Sequence, residues 1–77
     1  MNKQRRKYLA EAVEKLNEAM SIVEDVRSDE QDAFDNMPES LQYSERGEQM
    51  EEYIDNLDEA YDNILDVADA LQEIIDG

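Results

Sequence analysis

The sequence predicts an all-α fold: an antiparallel two-helix hairpin, coiled-coil-like, that dimerises into a four-helix bundle. Three observations carry that expectation. Apolar residues recur every seventh position in three adjacent columns in each half of the chain. Acidic residues recur with the same period on the opposite side. A punctuated stretch around the only proline, Pro38, separates the two halves. A shared period of seven says which face packs and which faces water. The 77 residues fit one domain, 1–77, of a size at which a lone chain buries only about 60% of its unfolded surface.

The first helix is expected over about 3–34. Leu9, Leu16 and Val23 form one apolar column; Ala12, Ala19, Val26 and Ala33 form a second. Val13, Met20 and Phe34 form a third, which Arg27 interrupts. That arginine is expected to snorkel toward aspartates near the turn. On the outside stand Glu11, Glu18, Asp25 and Asp32.

The connector spans 35–43. Asp35 and Asn36 are natural stop and cap residues, and Pro38 cannot sit inside a continuing helix. Pro-Glu-Ser-Leu suits a single helical turn, because proline fits a first-turn position. Two readings of this segment stand. In one, Pro38, Leu41 and Tyr43 close the end of the bundle. In the other it is a recognition loop with Glu39, Gln42, Glu45 and Arg46 as contacts.

The second helix is expected over about 44–76, with Ser44 as N-cap and Glu45 and Glu48 near the positive end of its dipole. Its apolar columns are Met50, Leu57, Ile64, Leu71; then Tyr53, Ala60, Val67, Ile74; then Ile54, Tyr61, Ala68, Ile75. Tyr53 and Tyr61 read as core residues with hydroxyls at the edge of the stripe. Gly47, one heptad before Ile54, costs about 1 kcal/mol of helix propensity against alanine and so points to a close approach by the first helix or the connector.

Helices of roughly 30 residues are about 45 Å long, and a short connector makes them antiparallel neighbours. A two-stranded seam needs two apolar columns, and each helix here has three. A hairpin alone is therefore expected to leave Ile54, Tyr61, Ile75, Val13, Met20 and Phe34 half exposed. Each such side chain is worth roughly 1.5–3 kcal/mol when fully buried. A homodimer recovers that burial; docking on a foreign protein is the competing solution.

Residues 1–15 carry five bases and two acids, whereas residues 16–77 carry Arg27 and Arg46 against twenty acids, giving the net charge of −15. Such a field attracts basic surfaces and repels nucleic acid and anionic membrane. Direct nucleic-acid binding is not expected. The basic start, Lys3, Arg5, Arg6 and Lys7, has two readings: pairing with Asp66, Asp69, Glu73 and Asp76 across the hairpin, or anchoring another molecule. Glu11, Glu14 and Lys15 interrupt the place where a signal peptide needs an apolar run, and no segment approaches the roughly 18 apolar residues of a membrane span. A soluble, cytoplasmic chain is expected.

With no Cys and no His, disulfide staples, zinc fingers and histidine acid–base chemistry are excluded. The carboxylates fall on the water side, whereas catalytic pairs need a desolvated pocket. The expectation is no enzyme, no cofactor and no specific metal site.

Glu48, Asp55, Asp62, Asp69 and Asp76 form one acidic column; Glu45, Glu52, Glu59, Asp66 and Glu73 form the other. From Glu48 to Asp76 there is no Lys or Arg, although ordinary surfaces mix both signs. The acids there fall one per roughly 4 Å of axis, close to the roughly 3.4 Å per phosphate of one DNA strand. One reading is a solvated face of a very acidic protein. The sharper one is a nucleic-acid mimic, with Asp55, Glu59, Asp62, Asp66 and Asp69 contacting a basic cleft.

The connector and its continuation, Phe34-Asp35-Asn36-Met37-Pro38-Glu39-Ser40-Leu41-Gln42-Tyr43-Ser44-Glu45-Arg46-Gly47-Glu48, then Met50-Glu51 and Ile54-Asp55-Asn56-Leu57, resemble small acidic helical-hairpin proteins of unknown function from phages and prophages of Gram-positive bacteria. The resemblance implies a bacterial cytoplasmic setting and a role in countering host defence. It carries over no functional residue. The expected function is thus a non-catalytic protein-interaction module, a phage-derived inhibitor or modulator of a host protein. A structural, assembly or antitoxin-like helical module of a mobile element is the alternative.

Overall fold

The computed structural model describes all 77 residues, Met1–Gly77. Its elements are α1 (Lys3–Asp35), α2 (Glu39–Gln42) and α3 (Glu45–Asp76), with no strand. The two long helices lie side by side as a rod with a Cα envelope of 58 × 14 × 13 Å. The expected helix bounds hold to within a residue, and the single turn expected after Pro38 is α2, with Pro38 at its N-cap.

Each long helix starts where a side chain can take up a free backbone N–H. Asn2 Oδ1 accepts from the Arg5 amide at 2.8 Å to open α1. Ser44 caps α3 by accepting from the Gly47 amide at 3.4 Å. Such caps contribute about 1 kcal/mol each. Between them the chain is clasped by Gln42, whose Nε2 donates to the Phe34 and Met37 carbonyls at 3.0 and 3.3 Å. Those carbonyls lie at and just past the C-terminal end of α1, where i→i+4 donors run out; that of Phe34 also accepts from the Met37 amide at 3.1 Å.

Gly47 is buried against this clasp. A Cβ there would lie 2.6 Å from the Leu41 carbonyl oxygen and closer still to that of Gln42. The close approach inferred from the sequence is real, and it comes from the connector.

Between the helices the seam is thin. Met20, Ile54 and Ala68 are the buried hydrophobic residues. Leu9, Val13, Leu16, Val23 and Phe34 of α1 are half-buried, as are Met50, Leu57, Tyr61, Ile64, Leu71 and Ile75 of α3. This corrects the expectation about which column stays wet. Ile54 and Met20 are the best covered apolar side chains after Ala68, whereas Tyr53 and Val67 are each 50% exposed and Ile74 45%. Tyr53 is not a core residue: its hydroxyl accepts from Gln49 Nε2 at 3.0 Å on the outside of its own helix. The column holding Gly47, Ile54 and Ala68 turns inward and packs against the Met20 column of α1, while the neighbouring Tyr53 column stays half exposed.

Arg27 donates from Nε to Asp58 Oδ1 at 2.9 Å, the only ion pair in the molecule. Its partner lies on the facing helix, not beside the turn. With the two side chains 34% and 53% exposed, the pair is worth at most about 1 kcal/mol.

The pairing expected for the basic start does not form: Lys3, Arg5, Arg6 and Lys7 make no ion pair with Asp66, Asp69, Glu73 or Asp76. Register explains it. An antiparallel alignment running through Arg27 and Asp58 sets Leu9 opposite Asp76, so the four bases stand level with or past the end of α3. Both helix ends at this open end of the hairpin also carry charge of the sign their dipoles disfavour. There is no acid in the first turn of α1 and no base in the last turn of α3.

The connector does not seal the other end as expected. Leu41 is 46% and Tyr43 78% exposed, and Pro38 is exposed too. The contacts that hold this end are the Gln42 bonds and the Gly47 approach.

Candidate interaction surface

Three long surfaces run the length of the rod, and the heptad phase of α1 and α3 defines each. The outer surface of α3 carries the two acidic columns. All ten of their carboxylate residues are exposed, because they sit opposite the column that enters the seam. They include Asp55, Glu59, Asp62, Asp66 and Asp69, the residues expected to meet a partner. The carboxylates are strung out along the rod, and no three of them converge.

The second surface lies on one side of the seam. The columns turned toward the seam are Val13, Met20, Arg27 and Phe34 in α1, and Gly47, Ile54, Tyr61, Ala68 and Ile75 in α3, of which Met20, Gly47, Ile54 and Ala68 are buried. In each helix the apolar column three positions after the central one is the outer one. An antiparallel pair brings equivalent flanks of its two helices to the same side. Ala12, Ala19, Val26 and Ala33 therefore line up with Ile74, Val67, Ala60 and Tyr53. Tyr8 and Ile22, four residues before Ala12 and Val26, widen the strip at 60% and 64% exposure. Most of the large exposed apolar side chains of the helices, Tyr8, Ile22, Val26, Tyr53, Val67 and Ile74, thus share one face. Scattered apolar residues mean little, whereas a contiguous strip makes this face a candidate contact surface.

The third surface is the opposite flank. Here shallow grooves are lined by Glu24, Arg27, Ser28 and Asp58, and by Gln31, Glu51 and Asp55, with Val23, Leu57, Tyr61, Phe34 and Ile54 at their floors. This flank is mostly polar, with Leu65, one heptad after Asp58, 38% exposed, and it is spanned by the Arg27–Asp58 pair.

At the turn, Glu39 and Arg46 are exposed and free to meet a partner, but Gln42 is not. Its amide is committed to the Phe34 and Met37 carbonyls, so its role is structural. Sequence alone does not single out Ile22, Tyr8, Val26 or Ile74 for contact. Val26 and Ile74 were visible as members of the apolar columns, and the fourteen-residue spacing of Tyr8 and Ile22 was the signal for the wider strip.

No helix is long and apolar enough to cross a membrane. No family model matches the chain, and no curated protein or solved structure matches it.

Proposed function

We propose that this protein is a non-catalytic interaction module that binds a basic surface of another protein through the outer face of α3. The supporting observation is the exposure of all ten carboxylates in two seven-residue columns, with no base on the helix after Arg46. An acidic surface of that density attracts a positive cleft and speeds encounter with it. A cleft built for nucleic acid is the matching target, and the resemblance to phage hairpins makes a host defence protein the target class.

The test is salt and charge. Affinity should fall steeply with ionic strength, since attraction between exposed charges is screened over roughly 8 Å at physiological salt. Changing Asp55, Glu59, Asp62, Asp66 and Asp69 together to Asn or Gln should abolish binding while the helices persist. Nucleic acid should compete for the same cleft. Binding at native strength by that variant would sink the acidic-face reading and move attention to Glu39 and Arg46.

Two copies pair through the apolar strip into a four-helix bundle in this reading. That strip also favours the second reading, an assembly module of a mobile element, in which the pairing of hairpins is itself the function. Capture of sister proteins of the same element, rather than of a nucleic-acid enzyme, would select it.

A further inference from the structure

The rod is electrically lopsided along its length. Its open-end half, residues 1–20 and 65–77, holds five bases against seven acids. Its turn half, residues 21–64, holds two bases against fifteen acids. The extreme open end is basic outright, for residues 1–10 contain Lys3, Arg5, Arg6 and Lys7 and no acid. Those bases have no ion pair inside the hairpin, and the Nε of Arg6 is buried without a hydrogen-bond partner. They also stand at the positive end of the α1 dipole, where a base opposes the helix it belongs to. Nothing within one copy accounts for them.

We infer that the apolar strip is covered by a second copy laid alongside it in the opposite sense, so that the basic tip of each copy lies beside the acidic turn half of the other. This rests on the dimer reading above and specifies its geometry. Area and chemistry fit. One long face of the 58 × 14 × 13 Å envelope projects about 800 Å², the share each partner contributes to a standard interface. Two symmetric arrangements bring the strip of one copy onto that of the other. With ends aligned, the two strongly acidic halves would lie side by side and the two basic tips would meet. With ends opposed, each acidic half faces a nearly neutral one, and Lys3, Arg5 and Lys7 gain the carboxylates of Glu39, Glu45 and Glu48 on the partner copy. Alternation of size along the strip suits self-packing, because Ala12, Ala19, Ala60 and Ala33 each sit level with a larger Ile74, Val67, Val26 or Tyr53.

The chain has no cysteine, so single labels can be placed at will. Ser40→Cys at the turn and Gln4→Cys at the open end are exposed sites with no part in the caps. Each variant is first checked for native helicity by circular dichroism and for mass by sedimentation. Spin labels on the Ser40→Cys homodimer should then report a separation approaching the 58 Å length of the rod, and the Gln4→Cys homodimer should do the same. Mixing the two variants should give a short distance. Short distances in both homodimers, of about two helix diameters or ~20 Å, would overturn the opposed arrangement and leave the dimer standing. A sedimentation mass of one chain at micromolar concentration would remove both.

Discussion

The two flanks of the seam are built from the same heptads and have opposite characters. On one, Arg27 reaches Asp58 and the neighbouring positions are Glu24, Gln31 and Glu51, so the flank is finished within a single chain. On the other, Ile22, Val26, Tyr53, Val67 and Ile74 stay 45–64% exposed, and nothing in the chain covers them. A helix with two apolar columns has no such asymmetry. The third column is what distinguishes a hairpin that is complete from one that leaves an apolar side uncovered.

The largest expected effect lies at the seam that both flanks share. Ile54→Asp puts an unpaired carboxylate at a position 5% exposed, a cost of several kcal/mol that a core this thin cannot absorb. Circular dichroism should show loss of helix at any concentration. Retained helicity would mean that the buried column has been misidentified. Next comes the uncovered flank. Under the proposed pairing, Tyr53→Glu with Val67→Glu should weaken self-association at least ~100-fold, the equivalent of roughly 3 kcal/mol, while the helicity of the single chain persists. Sedimentation reads the first and circular dichroism the second, and unchanged association would break the contrast between the flanks.

Gly47→Ala should destabilise by about 2 kcal/mol. Alanine is the better helix former by about 1 kcal/mol, but its Cβ would run into the Leu41 and Gln42 carbonyls. A thermal melt that rises instead would show that the connector gives way freely. The smallest effect belongs to the finished flank: Asp58→Ala should cost no more than about 1 kcal/mol in denaturant unfolding. A loss well above that would make the polar flank as important as the apolar one.

Much of the fold was legible in the sequence, and the reason is local. Ser44, Pro38 and the heptads act within a turn or two of themselves, so helix ends and the short α2 follow from them directly. Which of three equally apolar columns turns inward was not legible. Periodicity sees Tyr53 and Ile54 as alike, whereas the choice is made by how the whole column packs across the seam, which leaves Ile54 5% and Tyr53 50% exposed. The lone state of Lys3, Arg5, Arg6 and Lys7 was hidden for a related reason. Opposite charges in the two halves suggest pairing, but the register that sets Leu9 against Asp76 depends on how the connector folds. Gln42 looked like an exposed contact residue because nothing in the sequence marks which carbonyls its amide will find.

The Gln42 clasp also has a consequence for the order in which the rod assembles. It folds α2 back onto the end of α1, three residues before α3 begins, so the first contacts between the long helices close the shortest loop in the molecule. Each later layer then adds next to one already formed, a route of low contact order that favours rapid folding from the turn outward. The same hierarchy should read in reverse under native conditions. Amides around Phe34 and Ile54 should exchange with solvent slowest, and those of the overhanging Lys3–Leu9 segment fastest, giving a graded protection along the rod that shortens or vanishes when Gln42 is replaced by alanine.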